Sequence, residues 1–438
     1  MRSRIQVLPA LALFSLILWT ASGYGQDEQE KKTSTLTFEA GSNIFKRNPD
    51  DSFINRLYRG VTAWHLDAEL TADEGVYMSD VDDIRQIRFY GSAAFRDSVR
   101  HLNADTLIYF EDTREARAIG NVTVTEGGRT LRADHVRYLK DLRYIEATGS
   151  VTVNDDSTRS TITGEKAVFN DSTGYGLIIG DPYIEKEDED GNIMTVTCQD
   201  SLELFQEDRI ARLWNNVTAF RDSLSLSCSD TLEIADREQT VRLWHNVTAK
   251  NDSLTALSDH ALYSYETEAL TLTGNPEIRY AITDTREDAS SELRTTSVVA
   301  GDSVRVFIHD RKVSGAEVIG SATGTTTSVD TTGTIFDQSV IESADMRLEM
   351  EDGFISLVSA EGTARSYYHR NYADDGKMFV NDAVGDTLTF YFDRGKITEM
   401  KIFGFGGGLG KGIYYNYEEE ESPAESDSTR TAEVTGFR

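Results

Sequence analysis

From about Leu57 to Phe403 the chain alternates apolar and polar residues with a period of two, interrupted at regular intervals by glycine or asparagine. That period predicts strands with one buried face. The alternation itself repeats. The segment ADTLIYFEDTREARAIGNVTV from Ala104 matches ADHVRYLKDLRYIEATGSVTV from Ala133, and RLWNNVTAFRDSLSLSCSDTLEI from Arg212 matches RLWHNVTAKNDSLTALSDHALYS from Arg242. An acidic anchor recurs at Asp73, Asp105, Asp134, Glu165, Asp200, Asp230, Asp259, Asp302, Asp345 and Asp386. A turn signal follows each, at Gly91, Gly120, Gly149, Gly180, Asn215, His245, Gly274, Gly320, Gly362 and Gly404. The interval is 15 residues in the six copies from Asp105 to Gly274, and 17 or 18 in the other four.

Apolar residues hold fixed places within this unit. Four positions after the anchor stand Tyr109, Tyr138, Phe169, Leu204, Ile234 and Tyr263; two after the turn signal stand Val122, Val151, Val217 and Val247. Thr, Arg, Asp, Glu and Ser fill the alternate places and face water. A single strand–turn–strand unit cannot bury its apolar face, but stacked copies enclose a continuous interior. The fold expected is therefore all-β: an elongated, solenoid-like stack of strand–turn–strand units around an apolar interior. Regular repeats occupy residues 34–280, and residues 281–404 continue the stack with longer repeats. Their insertions, ITDTREDAS from Ile282 and TGTTTSVDTTG from Thr323, are expected in loops on one rim. A stack has two free edges, which invite pairing with another chain. Leu36 and Phe38 mark the N-terminal edge, Leu388 and Phe390 the C-terminal one.

The ends of the chain add a location. Arg2 and Arg4 precede an apolar run from Val7 to Trp19, and Ala21-Ser22-Gly23 offers small residues for cleavage. The run is shorter than the roughly 20 residues a bilayer core needs, so residues 1–25 read as a cleaved secretory signal. Residues 405–438 form a Gly-rich closing turn and an acidic tail expected to be disordered. A net charge of −30 argues against nucleic acid as a partner.

Chemistry-bearing groups are sparse. The seven histidines show no metal-ligand spacing. GGGLGKG from Gly406 fails the phosphate-loop pattern, because Phe405 stands where a glycine is needed and Gly412 follows Lys411. The anchor carboxylates recur too often to be catalytic. No catalytic residue, metal or cofactor is expected. Cys198 and Cys228 each lie two residues before an anchor in adjacent units. A disulfide between them and two buried free thiols both remain open.

Units of the form A-D-x-L-x-Y … A-x-G-N-V-x-V behind a signal peptide resemble the OstA/LptA-like family of periplasmic lipopolysaccharide-transport proteins, over roughly Leu57 to Phe403. The resemblance implies a twisted, semi-open β-jellyroll that is not an enzyme. Its groove would carry the acyl chains of lipopolysaccharide or a similar glycolipid between inner and outer membranes. It also implies partners: jellyroll-bearing inner- and outer-membrane transport components, with end-to-end self-association through terminal strands. The location would be the periplasm, with outer-membrane association. The chain departs from the family in being longer than a single-module bridge and in lacking a long C-terminal barrel. Two rival readings stand beside it. One is a structural or surface β-solenoid with a filled core. The other is a β-helix carbohydrate-active enzyme using Trp64, Trp214 and Trp244 as sugar platforms.

Overall fold

The computed structural model describes residues 37–418, apart from 66–67, 83, 98–99, 171, 188–190, 222, 285–292, 310–311, 352–353, 372–376, 394–395 and 405–410. The signal segment, Leu36 and the acidic tail thus lie outside the described residues. Within them the chain is all-β, as the alternation predicts. Its only helical turn among the described residues is a 3-10 turn at Lys140–Leu142. Successive strands pair antiparallel: Arg100–Phe110 with Glu115–Glu126, that with Arg129–Leu139, then Tyr144–Asp155 and Ser160–Asn170. The chain divides into two compact units. One runs to Asp222 and includes Asp230–Gln239; the other comprises Ser223–Ser229 and the chain from Thr240 onward.

The glycines expected at turns sit elsewhere than at hairpin tips. Gly91, Gly120, Gly149, Gly320 and Gly362 lie in the middle of strands, where the strand bends, and Gly180 and Gly274 in a short gap between two strands; the hairpin tips fall at other places such as Gly127-Gly128. Each bend uses two consecutive residues with left-handed backbone, for example Gly120 (φ +78°) and Asn121 (φ +48°), or Gly149 (φ +81°) and Ser150 (φ +46°). At the first of these bends Ala104 and Asp105 oppose three residues, Gly120, Asn121 and Val122, between the pairs Asn103–Thr123 and Thr106–Ile119. The extra residue makes a bulge that bends the strand. Sequence reads such a glycine as a turn because both situations need φ above zero.

The anchor acid belongs to this bend. A Cβ on Gly149 would lie 2.7 Å from the Cβ of Asp134, and one on Gly120 would lie 2.9 Å from the Cγ of Asp105. Asn121 Nδ2 donates to Asp105 Oδ2 at 2.9 Å. The anchor side chain therefore fills the space that only glycine leaves open, which is why the two recur at a fixed interval. Where Asn215 and His245 replace glycine, with φ of +67° and +63°, the contact changes. There Asn216 donates to Gln199 Oε1 and Asn246 to Ser229 Oγ, each the residue before the anchor.

Two further expectations are corrected. Thr323–Val329 is not a rim loop: it is the second half of the strand Lys312–Val329, paired to Leu293–Ala300 on one side and Ile335–Glu351 on the other. Leu388 and Phe390 are not on an edge. Their strand, Lys377–Asp393, pairs with Phe354–Asn371 on one side and, on the other, with Lys396–Phe403 along its second half and with Lys411–Glu418 along its first.

Glycine at the bend is expected to contribute more than backbone freedom. Gly149→Ala should lower stability by more than the roughly 1 kcal/mol that left-handed backbone alone costs an alanine. Gly128→Ala at a hairpin tip (φ +85°), where a new Cβ meets nothing within 4 Å, should lose only that smaller amount. Urea unfolding of both variants checks this; equal losses would mean that the Asp134 contact is slack.

Candidate functional site

Directly opposed residues of an antiparallel pair project from the same face. The register therefore shows which side chains share the interior wall. In the first unit Tyr109 pairs with Ala116, Ala116 with Tyr138, Tyr138 with Ile145, and Ile145 with Phe169. The row continues through Gly176 to Leu204, then through Ala211 to Ile234. In the second unit Tyr263 leads through Leu270 to Val306, then Ala316, Leu348, Val358 and Phe390. The residues four places past the anchors thus form one row on one face within each unit.

Beyond the bend the strands form a second wall facing the first. Val122, Val151, Val217 and Val247 stand on it, next to the bend and buried. Two residues farther out runs the row Val124, Leu131, Val153, Ile162, Ile184 and Val196. The two walls meet in the first unit where the Arg100 guanidinium lies 5.7 Å from the centre of the Tyr138 ring. In the second unit the sulfur of Met346 lies 3.5 Å from where a Cβ on Gly324 would stand.

Burial grades outward from the bend. In the first-wall row nearest it, Leu107, Ala118, Ala147, Ile178, Leu202 and Leu213 are 0–2 % exposed. One row out, Phe169, Leu204 and Ile234 are buried, whereas Tyr109, Tyr138 and Tyr263 are half-buried. Burial pushes the Tyr109 and Tyr263 hydroxyls above the usual tyrosine range. The interior is closed along the bend and more accessible away from it.

Charged residues line the outer margin of the second wall, where sequence reading placed none. Glu126 shares the face of Val122 and Val124, and Asp155 that of Val151 and Val153. Arg100 Nε pairs with Glu126 Oε2 at 2.9 Å, and Arg129 Nε with Asp155 Oδ2 at 2.8 Å. Lys186 follows on the same row, nearly buried, and burial holds its amine below the usual lysine value against the pull of Asp155. The period-two pattern carried the signal, since these positions continue the valine parity.

Other predicted residues distribute as follows. Phe38 lies on the end strand Thr37–Arg47, half-buried, 5.8 Å from the Tyr77 ring. Cys198 and Cys228 are buried thiols that form no disulfide, and burial pushes the Cys198 thiol up to about 11. Among the described residues no group of three or more His, Cys, Asp or Glu is arranged to hold a metal ion. Among them, too, no helix is long and apolar enough to cross a membrane. Of the tryptophans, Trp214 donates from Nε1 to Glu203 Oε2 at 2.8 Å, and Trp64 stands exposed on the end hairpin.

Residues 101–312, a stretch running from the first unit into the second, match the sequence model of a family described as LptA/(LptD N-terminal domain) LPS transport protein. No curated protein matches the chain. Among solved structures, the WD40 domain of SCAP from fission yeast is 9 % identical, over 89 % of this chain and 92 % of that one, with a TM-score of 0.12.

Asp155 makes the margin testable through acid. Its burial raises the carboxyl pKa, but hydrogen bonds from Ser157 and Arg129 outweigh burial and hold it below the usual range. A depressed carboxyl stabilises the fold above its unfolded pKa and loses that contribution as pH falls through the folded one. Stability should therefore drop as pH falls below about 4, the value for a free aspartate. Asp155→Asn should be less stable at pH 7 and show a shallower acid limb in thermal unfolding measured from pH 7 to pH 2.

Proposed function

Because the chain belongs to the LptA/LptD N-terminal family of lipopolysaccharide-transport domains over residues 101–312, we propose that it carries lipopolysaccharide or a related glycolipid across the periplasm, with acyl chains held between its two walls. The family's role is transport in the cell envelope and not catalysis. The observation that supports a carrier is the grading of the interior. A row closed along the bend fixes the walls, and the half-buried side chains of Tyr109 and Tyr138 in the first unit and of Tyr263 in the second lie where an acyl chain can reach them. Each methylene moved from water onto such a surface gains about 0.8 kcal/mol, so a few turns of apolar wall suffice to hold a chain.

The end strands support a partner-pairing role. Thr37–Arg47 pairs with Phe53–His65, and Ile44 and Phe45 are 61 % and 59 % exposed. At the other end Lys396–Phe403 takes the place expected of Leu388 and Phe390, with Ile397 and Phe403 exposed. Strand addition there would join the chain to a second copy or to a jellyroll-bearing membrane component.

A photocrosslinking amino acid at Tyr109 or Tyr138 is expected to capture lipopolysaccharide in cells. The same group at Arg117, on the opposite face of its strand, is expected to capture none. Equal capture at all three positions, or none from a folded protein, would overturn the interior-carrier reading. Placed at Ile44, the group should capture a protein partner; adducts only within its own chain would rule out the end-strand junction.

A further inference from the structure

The two walls of the second unit differ in chemistry. Its first wall is apolar throughout, as the row Tyr263, Leu270, Val306, Leu348, Val358 and Phe390 shows. Its second wall is small and apolar beside the bend, with Ala322, Ala364 and Ala383 fully buried. Two residues beyond Val299, Gly324, Ile341, Ser366 and Ala383, the same face turns polar. Ser297, Thr326, Ser339, Tyr368 and Asn381 are opposed in sequence across five strands. All five are half-buried.

This polar zone arises where the strands lengthen. Strands of the regular repeats, such as Glu115–Glu126 and Tyr144–Asp155, have 12 residues. Lys312–Val329, Ile335–Glu351, Phe354–Asn371 and Lys377–Asp393 have 18, 17, 18 and 17. Each two added residues deepen a wall by about 7 Å. At the far end of the zone the polar groups are spoken for. Ser328 donates to Asp337 Oδ1 at 2.9 Å, so the 2.8 Å contact between Thr295 and Ser328 has Thr295 as donor. Asp337 is opposed in register by Arg370, whose guanidinium lies 5.3 Å from the Phe336 ring centre. The middle row is less complete. Ser297 and Thr326 share one hydrogen bond at 3.0 Å, but Asn381 Oδ1 is sealed from solvent and accepts none. An acceptor left without a donor is costly, and a hydroxyl of a bound ligand would recover that loss.

We infer that the row Ser297, Thr326, Ser339, Tyr368 and Asn381 is a subsite for the saccharide part of an amphiphile whose acyl chain lies against Val306, Leu348 and Phe390 on the facing wall; this rests on the lipid-carrier reading above. The chemistry selects a saccharide over an anion. The row carries no formal charge, and the cation beside it faces Asp337 across the strands. Hydroxyl and amide groups both donate and accept, which is what a ring of sugar hydroxyls requires. The apolar wall opposite holds a chain, so one ligand with both parts satisfies both walls.

The test uses the full chain and two single-chain amphiphiles of equal tail length, dodecyl maltoside and dodecyl dimethylamine oxide, titrated calorimetrically below their micelle concentrations. The wild-type chain should prefer the maltoside. Thr326→Val with Ser339→Ala should weaken maltoside binding about fivefold to tenfold and leave the amine oxide unchanged. Thr326→Ser should keep the preference, which separates lost hydroxyls from lost packing. If the double variant, folded by circular dichroism, binds the maltoside as wild type does, the subsite is overturned while the apolar interior stands. If the wild type binds neither amphiphile, the lipid-carrier reading falls and the subsite with it.

Discussion

A side-chain carboxylate pressed against a residue with no side chain holds this architecture in place. At the glycine bends from Gly91 to Gly320 the anchor acid of one strand occupies the volume a Cβ would need on the neighbouring glycine, and the backbone there takes two left-handed residues in a row. Left-handed backbone is costly for most residues, so the bend cannot migrate along the strand without penalty. Everything else is measured from it. Tyr109 lies four residues past Asp105, Val122 two past Gly120, and both face the same interior because the bend fixes which residues of each strand turn inward.

The alternation made the inner wall legible. Tyr109, Tyr138, Phe169, Leu204 and Ile234 were found by spacing alone, and the strand register joins them in one row. What escaped the sequence has a physical reason in each case. A left-handed glycine serves a hairpin tip and a mid-strand bulge equally well, so Gly120 alone cannot say which it is. Polar residues were assigned to water, yet Glu126, Asp155 and Lys186 occupy inward positions because cross-strand pairs and stem burial tolerate them there. The threonine-rich stretch after Ala322 looked like a loop by composition. It is a strand because threonine, branched at Cβ, suits pleated backbone as well as valine does.

The two units put the same bend to different uses. In the first, short strands end in charged margins soon after the apolar row. In the second, longer strands carry the face on into hydroxyls and then into the buried Thr295–Ser328–Asp337 cluster. The apolar first wall is common to both. Residues 101–312 match a lipopolysaccharide-transport family, and the four longest strands lie at or beyond the end of that stretch.

Because the bend pins the register at mid-strand, a strand can grow only at its hairpin ends, and growth there obeys an arithmetic of its own. A hairpin lengthened by matching residues on both arms leaves every existing side chain facing as before and simply adds depth. A single residue inserted between bend and hairpin would reverse the facing of all residues beyond it, sending valines outward and charges in. Repeats of this kind can therefore be lengthened freely in depth, yet within an arm their spacing is quantised in steps of two. A lineage of such chains would diverge fastest at its hairpin tips while its bends stayed in phase.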